Sequence, residues 1–298
     1  MKKKFVSMVM AVVLCGVFTA GCGGAEGETS GEASPAGEAA GSAAESEAAD
    51  ASESVQTEAS DTEAAAGGDY EGALSGVTLK VGTDTSFVPF CFPDDNNVYT
   101  GFDIELLEAV SDYLGFEYEL SPMDFTALLM SVQTNKLDMG LAGITITDER
   151  KEVMDFADPY YDAGLQILVK SDNEDIKQIA DLEGKKVALK EGTASVDYVN
   201  ENVSDCTVTT FPNIEAAYME VQRGAADAVV YDAPNMLYYT NQNPDSGCKV
   251  VGDLVDGCQY GIVLQKDSEY TEYINAALAK FHEDGTYDAI YEKWFGQQ

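Results

Sequence analysis

Arg150 stands at the end of a stretch that suits the binding of a carboxylate. In LAGITITDER, residues 141–150, an apolar strand gives way to a loop, and Thr147 can cap the helix that follows. Free amides at a helix start favour an anion, and a planar guanidinium pairs with a carboxylate through two charge-assisted hydrogen bonds. The residues alone leave open a surface ion pair of Arg150 with Glu149 or Asp155.

Two other stretches supply groups that complement this arginine. GTDTSFVPF at 82–90 offers the Asp84 carboxylate, hydroxyls and an aromatic ring, in turn chemistry that disfavours a helix. YDAPN at 231–235 follows an apolar strand, and Asp232 in it can accept hydrogen bonds from an ammonium group. An arginine for a carboxylate and an aspartate for an ammonium together predict a receptor for a zwitterion.

The elements that must position these groups alternate along the chain, which is typical of an α/β protein with a largely parallel sheet. Strands are predicted at 77–82, 137–141 and 228–230, and helices at 102–114, 125–134 and, interrupted at 284–286, 274–295. A helix, a tight turn and a strand beginning at an aspartate occur twice, at 129–138 and 218–227. Two similar halves would bind a ligand in the crevice at the carboxyl ends of their strands.

Composition excludes several classes of function. With 17 Lys and Arg against 53 Asp and Glu, the net charge of −36 argues against nucleic acid as a partner. The single histidine, His282, has no nucleophile or ligand set near it, so neither catalysis nor a metal or other cofactor is expected.

The cysteines of the folded part show no zinc-like spacing. They are Cys91, Cys206, Cys248 and Cys258. A disulfide between Cys248 and Cys258 and four free thiols both remain open at this point.

The N-terminus is typical of a targeting segment. Three lysines precede an apolar run, 5–19, that is too short for a bilayer span of roughly 20 residues. TAGC at 19–22 is similar to a bacterial lipobox and predicts a signal peptide over 1–21 with Cys22 lipidated; a plain secretory signal with an incidental cysteine is the alternative. Residues 22–72 are rich in Ala, Gly, Ser and Glu and predict a disordered acidic tether outside the cytoplasm.

Further motifs give the chain a family resemblance. They are GFD at 101–103, PMDF at 122–125, DFADPYY at 155–161, GTASV at 192–196, DGTY at 284–287 and KWFG at 293–296. With the stretches above, they resemble the polar amino acid family of bacterial extracellular solute-binding proteins, family 3, and within it the glutamine binders. The resemblance covers about Val77 to Phe295 and implies the type II periplasmic-binding-protein fold, in which two α/β lobes are joined by a two-strand hinge. It places lobe 1 at 77–159 and 261–298, lobe 2 at 165–255, and the hinge strands at 160–164 and 256–260.

The resemblance also implies a ligand site. Its members would be Asp84, Phe87, Phe125, Ala142, Gly143, Thr145, Arg150, Lys190, Thr193, Ala194, Tyr231 and Asp232. Gly143, Thr145 and Arg150 would hold the ligand carboxylate. Asp232 would hold the ammonium group, with a carbonyl of Ala142 or Gly143.

Phe87 and Phe125 would enclose the side chain of the ligand, and Asp84 and Lys190 would face its polar end. Two departures from the glutamine binders concern this pocket: Tyr231 stands where they have His, and Ala194 where they have Gly. Glu191 adds a charge beside Lys190.

The function implied is capture of a polar L-amino acid, glutamine first, by a monomeric, lipid-anchored protein that delivers it to the permease subunits of an ABC importer. Glutamate, cystine or a basic amino acid is the alternative ligand. A dehydratase-like enzyme on the same fold, with Glu191 as the residue to suspect, and a sensor domain are the alternative functions.

Overall fold

The computed structural model describes residues 70–296, which form two five-stranded sheets with helices packed on them. The strands are β1 (Thr78–Asp84), β2 (Phe92–Pro93), β3 (Tyr99–Thr100), β4 (Glu117–Met123), β5 (Met139–Gly140), β6 (Met154–Phe156), β7 (Tyr161–Lys170), β8 (Lys186–Lys190), β9 (Thr207–Phe211), β10 (Ala228–Asp232), β11 (Cys248–Tyr260) and β12 (Val263–Gln265). The helices are α1 (Phe102–Leu114), α2 (Phe125–Gln133), α3 (Asp148–Val153), α4 (Ala194–Asn202), α5 (Ile214–Gln222), α6 (Ala233–Gln242), α7 (Thr271–Asp284) and α8 (Thr286–Phe295), with a 3-10 turn at Ile179–Leu182.

The first sheet has the order β4-β1-β5-β12-β6. β1 is parallel to both β4 and β5, whereas β12 is antiparallel to β5 and β6. A strand from near the end of the chain, β12, is therefore inserted between β5 and β6. We call the first sheet and the helices packed on it the first lobe.

The second sheet has the order β11-β7-β10-β8-β9 and is built from one continuous segment of the chain. β8 is parallel to β10 and β9, and β7 and β11 are antiparallel at the other edge. We call this sheet and its helices the second lobe. The two lobes together give the α/β, type II periplasmic-binding-protein fold that the resemblance implied.

Two strands connect the lobes. β7 leaves the first lobe at Tyr161 and β11 returns to it at Tyr260, and these two residues are antiparallel partners. A bridge between Tyr260 and Thr145 continues the pairing into the first lobe. The register of β7 and β11 shifts twice, between Val251 and Val255 and between Val255 and Cys258.

Helix α1 shows how local sequence sets an element. Its buried side carries Phe102, Asp103, Ile104, Leu106, Leu107, Val110 and Leu114, which recur at helical spacing. Gly101 begins the helix where a Cβ atom would lie 2.1 Å from the carbonyl oxygen of Phe90. Gly115 ends it in the left-handed conformation, with φ 82°, and donates its N–H to Ser111 O at 2.8 Å. The predicted bounds of this helix, 102–114, are confirmed.

The folded part begins before the first predicted strand. The hydroxyl of Tyr70 donates to Glu272 at 3.0 Å, and its ring packs on Tyr273. The predictions for residues 1–69, including the signal peptide, the lipidated Cys22 and most of the tether, lie outside the described residues. No helix within 70–296 is long and apolar enough to cross a membrane.

Cys91, Cys206, Cys248 and Cys258 are free thiols, so the pairing of Cys248 with Cys258 that the sequence left open is not formed. The reason is geometric. Cys248 and Cys258 lie on the single strand β11, opposite Lys170 and Ala163 of β7. At about 3.3 Å per residue, two positions ten residues apart on a strand are far beyond the reach of a disulfide.

Candidate ligand-binding cleft

Three of the four charged residues predicted for the site lie at strand ends, one in the first lobe and two in the second. Asp84 ends β1 in the first lobe, while Lys190 ends β8 and Asp232 ends β10 in the second. Between the lobes is a narrow cavity of about 10 Å³, which is room for about one water molecule. It is lined by Phe87, Phe125, Ala142, Gly143, Thr145, Arg150, Thr193, Ala194, Tyr231 and Asp232. Ten of the twelve predicted site residues are thus brought together in one cavity.

One end of the cavity is built to receive an anion. The guanidinium of Arg150 donates to Thr145 O at 2.7 Å in the first lobe and to Gly192 O at 3.0 Å in the second. Burial lowers the pKa of Arg150, and nearby carboxylates, Asp197 first, oppose that shift. Among residues 70–296, no hydrogen bond takes the N–H of Thr145, so this amide, its hydroxyl and the guanidinium can meet a carboxylate together.

The start of helix α3 is capped as predicted but contributes differently. Thr147 accepts a hydrogen bond from the N–H of Arg150 at 3.2 Å. The first turn of this six-residue helix carries Asp148 and Glu149, whose charge opposes an anion there. The anion-binding groups are therefore Thr145 and the Arg150 side chain rather than the helix terminus.

Asp232 provides a buried negative charge near the same end. It is only 7% exposed, and its carboxylate accepts a hydrogen bond from the hydroxyl of Tyr260, the residue at which β11 returns to the first lobe. Burial raises the pKa of Asp232 to about 6, although the hydrogen bond from Tyr260 and the charges of Lys190 and Arg150 lower it. A buried carboxylate whose charge is incompletely compensated is suited to an ammonium group.

Aromatic rings form the walls of the cavity. Phe87 and Phe125, both in the first lobe, are almost fully buried. The ring of Tyr231 meets Phe87 edge-on with the centroids 5.9 Å apart. Gly143 has a φ of 56°, and a Cβ atom there would lie 2.2 Å from Cε1 of Phe87, so only glycine allows this ring to lie against the loop.

Asp84 and Lys190, the two predicted site residues that do not line the cavity, form an ion pair between the lobes beside the two phenylalanines. Lys190 Nζ contacts Asp84 Oδ2, and both side chains are buried. The ammonium group lies 5.6 Å from the ring centre of Phe125 and 6.0 Å from that of Phe87. Asp84 also accepts from the N–H of Thr85 at 2.7 Å. Because each charge compensates the other, the pair adds no net charge beside the phenylalanine walls.

The remaining predicted residues flank the cavity from the second lobe. The hydroxyl of Thr193 donates to Lys190 O at 2.8 Å, and Ala194 begins α4. Tyr231 is 2% exposed and stands directly before Asp232. Glu191, which we expected to modify the field of Lys190, is exposed and does not line the cavity.

A buried aspartate with no predicted role supports the loop of Gly143. Asp103 accepts from the N–H of Gly143 at 2.8 Å and from the hydroxyl of Tyr160 at 2.9 Å, and burial raises its pKa to about 7. The Gly143 amide is therefore used inside the protein, which leaves Thr145 and Arg150 for an anion. The sequence held a signal for this: Asp103 shares the apolar stripe of α1 with Leu106, and a charge on a buried stripe needs partners.

Comparisons with known proteins agree with this fold. Residues 79–297 match the family of bacterial extracellular solute-binding proteins, family 3. The L-cystine-binding protein TcyJ of Escherichia coli K12 is 34% identical over 232 residues, which cover 76% of this chain and 87% of that protein.

Two solved structures are also similar. An ancestral arginine-binding protein bound to glutamine is 46% identical, with a TM-score of 0.71 over 74% of this chain and 98% of that one. An ancestral amino acid-binding protein described as a precursor of cyclohexadienyl dehydratase is 42% identical, with a TM-score of 0.68 over 73% and 95% of the two chains. The family resemblance read from the sequence is confirmed, and the chain belongs to family 3 of the bacterial extracellular solute-binding proteins.

Proposed function

We propose that this protein binds L-glutamine in the cleft between its lobes and delivers it to the permease of an ABC importer. The observation that carries the proposal is the composition of the cavity. Arg150 and Thr145 suit a carboxylate, Asp232 suits an ammonium group, and two phenylalanines form the wall that adjoins the uncharged ion pair of Asp84 and Lys190. An amino acid with a neutral polar side chain matches all of these features.

The ion pair of Asp84 and Lys190 favours glutamine over charged amino acids. A carboxamide can donate its NH₂ group to Asp84 and accept from Lys190, since it carries both functions. A guanidinium or ammonium group would meet the like charge of Lys190, and a carboxylate would meet Asp84. L-cystine, whose distal end has both charges, is the competing ligand, in keeping with the similarity to the cystine-binding protein.

Delivery to a permease follows from the family, and the two-lobed fold provides its physical basis. Arg150 bridges the lobes through Thr145 O and Gly192 O, and Asp84 meets Lys190 across the cleft. A ligand held by both lobes stabilises their closed arrangement, which a permease can distinguish from an open one. We propose that the protein works as a monomer and that Cys22 anchors it to the outer face of the membrane.

A role as a ligand-binding carrier is favoured here over a role as an enzyme. Of the titratable residues that line the cavity, Arg150 and Asp232 are assigned to the zwitterion and Tyr231 packs against Phe87, while Glu191 lies outside the lining. A dehydratase would need an acid or base aimed at its substrate. Incubation with a cyclohexadienyl substrate, followed by chromatography of the products, tests that alternative directly.

Isothermal titration calorimetry against the twenty amino acids and L-cystine tests the proposal, using residues 70–298 unfolded and refolded once to remove bound ligand. We expect glutamine to bind with a micromolar or lower dissociation constant, which corresponds to about 8 kcal/mol. Tighter binding of cystine or arginine would refute the glutamine assignment. Absence of binding to every amino acid would refute the function itself.

Retention of the anchor is tested separately in the full-length chain. Expressed in a bacterium with a lipoprotein-processing pathway, it should partition with membranes and carry acyl chains on Cys22, while Cys22→Ala should release it. An unmodified, freely secreted wild-type protein would refute the anchoring.

A further inference from the structure

Three consecutive residues of the loop that carries Phe87 contact the second lobe. The hydroxyl of Ser86 donates to Glu215 Oε1 at 2.7 Å, and the carbonyl oxygen of Val88 accepts from Asn235 Nδ2 at 2.7 Å. Between them, the ring of Phe87 meets the ring of Tyr231 edge-on. The second lobe thus holds this loop on both sides of its cavity-lining residue.

Asn235 is placed so that both ends of its amide are used. It is 1% exposed on α6, and its Oδ1 accepts from the hydroxyl of Tyr218 at 2.6 Å while Nδ2 faces Val88 O. The orientation of the amide is fixed by these partners, because a carbonyl oxygen can only accept. A buried polar group with complete hydrogen bonding fixes one arrangement of its neighbours.

The first lobe holds the same loop through its own bonds. The N–H of Phe87 donates to Cys91 O at 2.7 Å, and the hydroxyl of Tyr99 donates to Thr85 O at 3.1 Å. These bonds lie within one lobe and do not depend on how far the cleft is open. The bonds from Glu215 and Asn235 cross between lobes and exist only when the cleft is closed.

None of the four residues that form the crossing bonds lines the cavity. Ser86, Val88, Glu215 and Asn235 lie outside the set around the proposed ligand position. Their bonds therefore add to the stability of the closed form without touching the ligand. Their contribution to affinity acts through the fraction of protein that is closed.

We propose that Glu215 and Asn235 are positioning residues for ligand binding, which hold the Phe87 loop against the second lobe and so stabilise the closed cleft for any ligand. This inference rests on the proposed function in that it concerns the same cleft. It differs in what it predicts: loss of these bonds weakens the binding of all ligands by one common factor. Loss of a residue that touches the ligand changes the preference among ligands instead.

The pair of Ser86 and Glu215 gives the sharpest test, because both side chains are partly exposed and tolerate truncation. We expect Ser86→Ala and Glu215→Ala each to raise the dissociation constant for glutamine about tenfold, as for a hydrogen bond to a charged group. The double variant should be no more than about twofold weaker than either single one. Glu215→Gln, which keeps an acceptor oxygen, should retain most of the affinity, and the exposed Glu201→Ala is the matched control.

Stopped-flow release of glutamine supplies the kinetic readout, and the weakening should be mostly in the dissociation rate. Asn235→Ala should produce a loss at least as large as that of Glu215→Ala. Since Asn235 is buried, the affinity of Asn235→Ala is interpreted only if its circular dichroism spectrum matches that of the wild type. If this variant does not fold, the double-mutant cycle of Ser86 and Glu215 decides the test. Unchanged affinity in Glu215→Ala, or weakening factors that differ more than about threefold between two ligands, would overturn the inference.

Small-angle scattering separates this inference from the proposed function. If the wild type binds no amino acid, its ligand-free radius of gyration can still be compared with that of the Ser86→Ala/Glu215→Ala double variant. A larger radius in the variant would support the crossing bonds while the ligand assignment fails. Equal radii in that case would overturn the inference as well.

Discussion

Replacing Lys190 by methionine should shift the preference of the cleft from glutamine toward arginine. The side chain of Lys190 is buried against Asp84, with the rings of Phe87 and Phe125 beside it. Methionine has a similar length and no charge, so the walls should remain packed. The change replaces an uncharged ion pair beside the phenylalanine walls by the carboxylate of Asp84 alone.

The magnitude follows from the environment of this pair. Removing one partner of a buried ion pair costs about 3–5 kcal/mol when the other stays buried. Opening the cleft returns Asp84 to water, so the cost should be seen as lost glutamine affinity rather than lost folding stability. A guanidinium at about 4 Å from Asp84 would gain up to about 4 kcal/mol at an effective dielectric constant of 20, before its desolvation is counted. The ratio of arginine to glutamine affinity should therefore rise by at least about 100-fold, since about 2.7 kcal/mol suffices for that factor.

Calorimetric titration of both amino acids into wild type and variant measures the ratio. Lys186→Met is the matched control, because Lys186 begins the same strand and is exposed. It should leave both affinities within about twofold. A Lys190→Met ratio within about fivefold of the wild-type ratio would refute the assignment of the Asp84 and Lys190 pair to the ligand side chain. Loss of affinity for both ligands by the same factor would instead identify the pair as a contact that only holds the lobes together.

Three further predictions concern the groups that recognise the zwitterion. Burial raises the pKa of Asp232 to about 6, and the carboxylate must be ionised to pair with the ligand. The affinity should therefore be constant above pH 7 and fall about tenfold per pH unit well below pH 6. In titrations from pH 4 to 8, Asp232→Asn should abolish this dependence. Arg150→Lys should weaken binding about 10- to 100-fold, because lysine lacks the planar fork, whereas the exposed Arg223→Lys should have no effect on the same titration. Gly143→Ala should cost about 2–4 kcal/mol, measured as the free energy of urea unfolding or as lost affinity, since alanine is strained in the left-handed conformation and its Cβ meets Phe87. The control Gly224→Ala, which has open space around it, should cost about 1 kcal/mol.

The predicted elements match the structure best where one local pattern determines them. The apolar spacing of α1 and the glycines at its two ends fix its bounds, so 102–114 was predictable. The strands predicted at 77–82 and 228–230 each end two residues later, at Asp84 and Asp232. The strand predicted over 137–141 is only two residues long, because Met139 and Gly140 alone pair with β1 on one side and β12 on the other.

The features of the site that the sequence did not predict depend on contacts between residues far apart in the chain. The hydroxyl of Tyr260 reaches Asp232, and the amide of Asn235 reaches Val88, 147 positions away. Neither tyrosine nor asparagine has a local signature for such a partner, since both are ordinary residues of strands and helices. Asp103 is the exception, because its place on a buried stripe required a partner although it did not say which one.

The two lobes contribute different groups to the cleft. Closure and ligand recognition are therefore coupled, but substitutions can affect one more than the other. Arg150, Thr145 and both phenylalanines come from the first lobe, while Asp232 and Lys190 come from the second, so neither lobe alone binds every part of a zwitterion. In the proposed complex, the ion pair of Asp84 and Lys190 sets which side chain is accepted. The bonds of Glu215 and Asn235 lie outside the cavity and act only on the closed population. Substitutions in the ion pair of Asp84 and Lys190 should therefore change selectivity. Substitutions of Glu215 or Asn235 should change affinity and residence time while the order of ligands stays the same.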